Sequence, residues 1–161
     1  MGRDDTRYIV IHCTATPPTT TVGSIKAGWI ARGWSQVGYH ELIEYDGTVN
    51  QLADCEEIVN GVKGHNYHAY HICYIGGDTG DTRSLSQKVS LMDRIFAAQT
   101  IYPNAEVVGH RDLSPDLDGD GVIEPHEWVK LCPQFNVNEF VEMIESLKDR
   151  KDEVIKKLLA K

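Results

Sequence analysis

Between residues 116 and 127 the chain reads Asp116-Leu117-Asp118-Gly119-Asp120-Gly121-Val122-Ile123-Glu124-Pro125-His126-Glu127. That is the order of a calcium loop, with carboxylates at positions 1, 3 and 5, a glycine at the sharp turn, a backbone carbonyl at position 7 and a bidentate glutamate at position 12. Asp116, Asp118, Asp120 and Glu127, with the carbonyl of Val122, are the ligands calcium would take here, and Ile123 fills the apolar position. Ser114-Pro115 precedes the loop, so no incoming helix is expected and the segment is a lone EF-hand-like loop with only an exiting helix from about Pro125. A solvated turn of Asp and Gly has the same composition; the ordered match at every diagnostic position favours calcium.

The softer donors are scattered. Catalytic zinc usually takes three protein ligands from His, Cys and carboxylates and leaves a fourth position to a water whose pKa falls to about 7. His12 and His110 end candidate strands, and Cys132 precedes Pro133 in a loop before the last helix. Long stretches separate the three, so spacing alone does not join them, and a lone histidine at a strand end is as a rule a hydrogen-bonded core or surface residue. His40, His68, His71 and His126 read as structural or surface residues. Cys13, Cys55 and Cys73 read as reduced thiols, since four cysteines at irregular spacing make no disulfide framework. Alternation along a strand sends His12 and Cys13 to opposite faces, which argues against a cysteine–histidine dyad. The paired Cys-x-x-Cys of zinc deaminases is missing.

Such residues meet only if the elements between them fold onto one another. Arg7 to Cys13 is β-branched and aromatic and reads as a central strand. Val22, Ile25 and Trp29 recur at helical spacing behind Ser24 as cap, with Gly33 as stop. Tyr39–Tyr45 and Thr48–Leu52 flank Asp46-Gly47 and predict an antiparallel hairpin. A strand from His71 to Ile75 stops at Gly76-Gly77. A helix then follows from about Leu85 to Thr100, with a Ser84/Gln87 capping box and an expected buried stripe of Leu85, Val89, Met92 and Phe96. Glu106 to Gly109 is a short strand leading into His110. The last helix starts at Asn136, with Glu139 completing a box and Phe135 stapled onto Phe140, and runs from Val137 to Leu147; residues 149–161 either continue it or dock as a helical tail. The expectation is an α/β single domain over residues 1–161, a central mixed β-sheet flanked by helices with the acidic loop inserted.

A chain of 161 residues that is 41% hydrophobic and 25% charged is an ordinary globular composition. The net charge of −8 argues against nucleic acid as a partner. No apolar run is long enough for a membrane span, and Met1-Gly2-Arg3-Asp4-Asp5 lacks the apolar stretch of a secretory signal, so the expected site of synthesis is the cytoplasm. Oligomeric state is not written in the sequence.

Several short islands in order resemble one family. They are His12-Cys13-Thr14-Ala15-Thr16, Gly33-Trp34, Val37-Gly38-Tyr39-His40, Asp46-Gly47-Thr48-Val49, Gly64-His65-Asn66, Gly76-Gly77, Gly109-His110-Arg111-Asp112 and Lys130-Leu131-Cys132-Pro133. In this order they resemble the zinc-dependent N-acetylmuramoyl-L-alanine amidases of the peptidoglycan-recognition-protein fold, in particular the short phage-type members. The resemblance implies zinc on His12, His110 and Cys132, and catalytic roles for Tyr39 and Lys130. It implies peptidoglycan or a muropeptide as substrate, cut between the lactyl group of N-acetylmuramic acid and L-alanine of the stem peptide, and action on the cell wall after release or export. His65 and Asn66 would line the peptide groove, and Asp112 would hydrogen-bond a ligand or simply start a turn. At Gly61-Val62-Lys63 the chain departs from phage-type relatives, which often carry a histidine shortly before the glycine of this segment. The alternatives are a peptidoglycan-binding module of the same fold that does not cut, which the presence of Cys132 disfavours, and a calcium-dependent interaction protein.

Overall fold

The computed structural model describes residues 3–160. Five strands form one mixed sheet in the order β3-β2-β4-β1-β5: β1 (Tyr8–Cys13), β2 (Glu41–Ile43), β3 (Val49–Gln51), β4 (Ala69–Tyr74) and β5 (Glu106–Gly109). β1 lies between β4 and β5, parallel to both; β2 runs parallel to β4, and only the β2–β3 hairpin is antiparallel. The hairpin turns where Asp46-Gly47 predicts it: Gly47 N–H donates to the Glu44 carbonyl, and Gly47 adopts φ +90, a conformation that favours glycine.

Strand parity sorts the core. Ile9, Ile11 and Cys13 of β1 and Tyr70, Ile72 and Tyr74 of β4 face helices α2 (Leu85–Ile101) and α3 (Val137–Leu159), forming the main core with Leu91, Ile95, Phe140 and Ile144. Val10 turns to the other face, where it packs with Val62, Ala69 and Val108. On that same face Leu42, Cys73 and Ile75 pack against Val22 and Ile25 of α1 (Val22–Ala31). No helix among the described residues is long and apolar enough to cross a membrane.

Two local expectations change, and one open alternative is decided. α1 is capped by Thr21, whose hydroxyl accepts from Ser24 N–H, one turn before the predicted cap. The buried face of α2 is Gln87, Leu91, Ile95 and Ala98, while Leu85 and Val89 are 78% and 47% exposed. The helix is rotated because the Gln87 amide donates to the carbonyls of Ile43 and Ile75 at the ends of β2 and β4, while its oxygen accepts from Ser84 N–H. Of the two courses open to residues 149–161, continuation of the helix is the one found: α3 runs unbroken to Leu159, and beyond Ile144 its residues are exposed. Asn136 caps it through Glu139 N–H, and the rings of Phe135 and Phe140 meet edge to face at 5.6 Å.

Candidate active site

The C-terminal ends of two neighbouring strands and one loop converge. His12 is the penultimate residue of β1 and fully buried, on the face away from α2 and α3; His110 follows the last residue of β5 directly. Cys132 comes from the turn Leu131–Gln134, closed by Gln134 N–H on the Leu131 carbonyl, with a cis Cys132–Pro133 bond. Arg111 N–H donates to the Cys132 carbonyl at 3.0 Å, and Tyr74 Oη donates to the Pro133 carbonyl at 2.8 Å, tying the turn to the ends of β5 and β4. Gly109 lets the turn approach this closely, because a Cβ there would lie 2.9 Å from Pro133 Cδ.

One nitrogen of each histidine and the sulfur of Cys132 thereby lie within 4.8 Å of one another. The His12 and His110 rings meet edge to face at 4.9 Å. His12 Nδ1 is 3.9 Å from Cys132 Sγ, and Cys13 N–H donates to that sulfur at 3.2 Å. The other nitrogen of His12, Nε2, is bonded to His71 Nδ1 at 2.9 Å.

Burial holds the pKa of His12 well below the usual imidazole range, with the neighbouring histidines and Lys130 adding to it. His110 is lowered to about 4 by burial and then by Lys130 and His65. Both rings are therefore neutral at physiological pH and have a lone pair to offer. The Cys13 thiol and burial push the Cys132 thiol up. A cation binding here would take up the thiolate and release its proton. Two neutral imidazoles and a thiolate are a donor set that suits zinc, three ligands with room for a fourth.

Tyr39 lies just before β2, its ring 4.9 Å from that of His12 and 5.6 Å from that of Trp29. Gly38 allows this, since a Cβ there would press on the Trp29 indole at 2.9 Å. Burial and the Cys73 thiol push the Tyr39 hydroxyl well up, so it stays protonated and able to donate. Lys130 is exposed and, with His110, Trp34, Asn60, Gly61 and Asn66, lines a cavity of about 510 Å³ beside the three donors.

The remaining residues separate. Asn66 lines that cavity, although its Oδ1 is engaged by Val62 N–H at 2.7 Å. The His65 ring stands edge-on to Tyr8 and is not part of the lining. Asp112 accepts from Gly109 N–H at 2.7 Å, closing the 3-10 turn that holds His110. His71, read from sequence as structural, bonds His12; only the pairing of β1 with β4, which sets His71 opposite Val10, reveals this.

In the acidic loop, Asp116 accepts from Gly119 and Gly121 N–H, and Glu127, only 3% exposed, accepts from Leu117 and Glu124 N–H. One oxygen from each of Asp116, Asp118 and Asp120 lies within 4.8 Å of the others, whereas Glu127 clusters with Asp118, Glu124 and His126. The expected exiting helix is only a 3-10 turn, Pro125–Glu127, because Trp128 already has an extended conformation.

The sequence model of a family described as N-acetylmuramoyl-L-alanine amidase matches residues 2–127, a span that includes His12 and His110 and ends before Lys130 and Cys132. The chain is 29% identical over 147 residues to the endolysin of Escherichia phage T7, covering 87% of this chain and 88% of that one. It is 43% identical over 97 residues to an uncharacterized protein of Haemophilus influenzae, covering 57% of this chain and 84% of that one. Its fold is similar to that of the Ph2119 endolysin from the Thermus scotoductus bacteriophage Ph2119, with a TM-score of 0.70 at 24% identity over 88% of this chain and 87% of that one.

Proposed function

The chain belongs to the N-acetylmuramoyl-L-alanine amidase family, and from that premise we propose that it hydrolyses the amide between the lactyl group of N-acetylmuramic acid and L-alanine of the peptidoglycan stem peptide, using zinc held by His12, His110 and Cys132. The observation that carries the zinc is the convergence of those donors within 4.8 Å, beside a cavity lined by Lys130. Zinc, when bound, would polarise the scissile carbonyl and lower the pKa of a water at the same centre.

The protein's own groups supply the rest. The Lys130 ammonium, at the rim of the cavity, stabilises negative charge that develops on the carbonyl oxygen in the transition state. The Tyr39 hydroxyl, kept protonated by its surroundings, orients the attacking water or donates to the departing amine. Neutral His12 and His110 keep their lone pairs for the metal, and Asp112 holds the turn from which His110 projects. Asn66 borders the groove for the stem peptide, whereas the His65 ring lies outside its lining. Made in the cytoplasm, the enzyme would reach the wall after release or export.

The test is zinc content of the purified protein together with release of stem peptides from purified cell wall, with and without a chelator, for the wild type and Cys132→Ala. Zinc in the wild type, and loss of both metal and product in the variant, is the expected result. Full metal and full activity in the variant would overturn the ligand assignment, and wall binding without cleavage would leave the non-catalytic module.

The acidic loop carries a second, separate proposal: calcium on Asp116, Asp118, Asp120, the Val122 carbonyl and Glu127, in a structural role that fixes the path from His110 to Lys130 and Cys132. The closeness of one oxygen from each of the three aspartates favours it, and Glu127 would have to exchange its bonds to Leu117 and Glu124 N–H for the ion. Calorimetry with millimolar calcium checks it, and no heat of binding discards it.

A further inference from the structure

A zinc centre on His12, His110 and Cys132 leaves one neighbouring imidazole, His71, without a task, and the role inferred for it rests on that zinc reading. His12 turns Nδ1 toward Cys132 Sγ. A nitrogen that ligates a metal must present a lone pair, so the ring proton must sit on Nε2. Nε2 is 2.9 Å from His71 Nδ1, which then has to be the acceptor.

His71 is held in place by a neighbouring histidine. Its backbone N–H donates to His40 Nδ1 at 3.0 Å, which forces the His40 proton onto Nε2, and that N–H donates to the Glu57 carbonyl at 3.0 Å. The His40 and His71 rings stack nearly parallel, 9° apart, at a centroid distance of 5.9 Å. His71 is fully buried, and its Nε2 has no hydrogen-bond partner among the described residues. A buried polar nitrogen without a partner lowers stability, and an apolar side chain filling the same space would not incur that cost. The space itself is made by Gly61, since a Cβ there would collide with the His71 ring at Nδ1, Cγ and Cε1.

We propose that His71 is the positioning residue of the metal centre: its Nδ1 holds the His12 ring with Nδ1 turned to His110 and Cys132, and Gly61 is glycine because any side chain there would displace the His71 ring. The partner of a metal-bound imidazole fixes its tautomer and orientation, and losing it typically weakens metal binding about 10–100-fold.

The experiment measures zinc affinity by chelator competition and, in parallel, the unfolding midpoint of the metal-free protein. His71→Leu is expected to bind zinc about 10–100-fold more weakly without a lowered metal-free midpoint. His71→Asn, which keeps an acceptor at the δ position, restores most of the affinity. Gly61→Ala weakens zinc binding, and Gly61→Ala/His71→Asn recovers it, because the smaller side chain leaves room for the methyl group. The visible spectrum of the cobalt-substituted protein should change in His71→Leu and return toward wild type in His71→Asn. If His71→Leu binds zinc as tightly as the wild type, or His71→Asn as weakly as His71→Leu, the inference falls while the zinc centre stands. If the wild type takes up no zinc, both fall together. Should His71→Leu fail to fold, the glycine pair decides: a double variant no tighter than Gly61→Ala alone overturns the assignment.

Discussion

The backbone N–H of Cys13 donates to the sulfur of Cys132 at 3.2 Å, across 119 positions of sequence. A donor aimed at a sulfur favours the thiolate over the thiol. Cys132→Ser replaces that sulfur with a hydroxyl, a poor ligand for zinc. The expected loss of zinc affinity exceeds the roughly 100-fold upper range for losing an outer partner. Dialysis against a chelator followed by metal analysis measures it, and a serine variant that keeps its zinc would contradict the thiolate's role.

Lys130 is exposed, so Lys130→Ala should change stability by no more than about 0.5 kcal/mol. If its ammonium acts on charge present only in the transition state, kcat falls about 100- to 1,000-fold with KM nearly unchanged. Steady-state kinetics on a soluble muropeptide, with zinc content as control, separates this from a binding role, which would appear in KM.

Stability should fall as the solution is acidified from neutrality. Burial lowers His40 to about 4 from a reference of 6.5. His110 is lowered to about 4 as well, and burial also holds His12 and His71 below the usual imidazole range. Each is neutral in both states above its unfolded pKa. Between about 6.5 and 4 the unfolded chain takes up protons that the folded chain refuses, so stability drops through that window. For His40 alone the full effect is about 3 kcal/mol. Urea midpoints of the chelator-treated protein from pH 7.5 to 4.5 test this; a flat profile would mean the imidazoles are not buried neutral.

Gln87 should be as important to folding as any apolar residue of α2. Its amide reaches the Ile43 and Ile75 carbonyls, and Gln87→Leu would leave the Ile75 carbonyl buried without that donor while removing half of the capping box. A loss of about 2–3 kcal/mol is expected, read from chemical denaturation; a neutral or stabilising leucine would show that the polar anchor is dispensable.

Removing residues 149–161 should leave both fold and catalysis in place. The helix buries Val137, Phe140 and Ile144 and nothing beyond them. The expected change in unfolding free energy is within about 1 kcal/mol. A truncated protein that unfolds far more easily, or loses cleavage, would reveal contacts made by that extension.

Much of this arrangement can be read from residue order. β5 begins and ends where its β-branched pair and glycine predict, and the Asp46-Gly47 turn carries its own conformational demand. What residue order misplaces depends on contacts between distant segments. The face of α2 escapes it because Leu85 and Val89 obey the apolar rhythm, while the residue that sets the rotation is a glutamine reaching two strand ends. His71 reads as structural because its partner is a ring on another strand, visible only once β1 and β4 are in register. His12, His110 and Cys132 are grouped through family resemblance, since nothing in their spacing ties a loop at residue 132 to the end of the first strand.

The Cys132 turn is anchored by Arg111 N–H and Tyr74 Oη, both of them groups of the protein itself. If zinc is held as proposed, chain folding itself assembles the ligand cage, in contrast to small zinc modules in which the ion must organise an otherwise random coil. Such a cage could be emptied and refilled without passing through the denatured state. Its reactivation rate would then follow ion exchange instead of the folding of the domain.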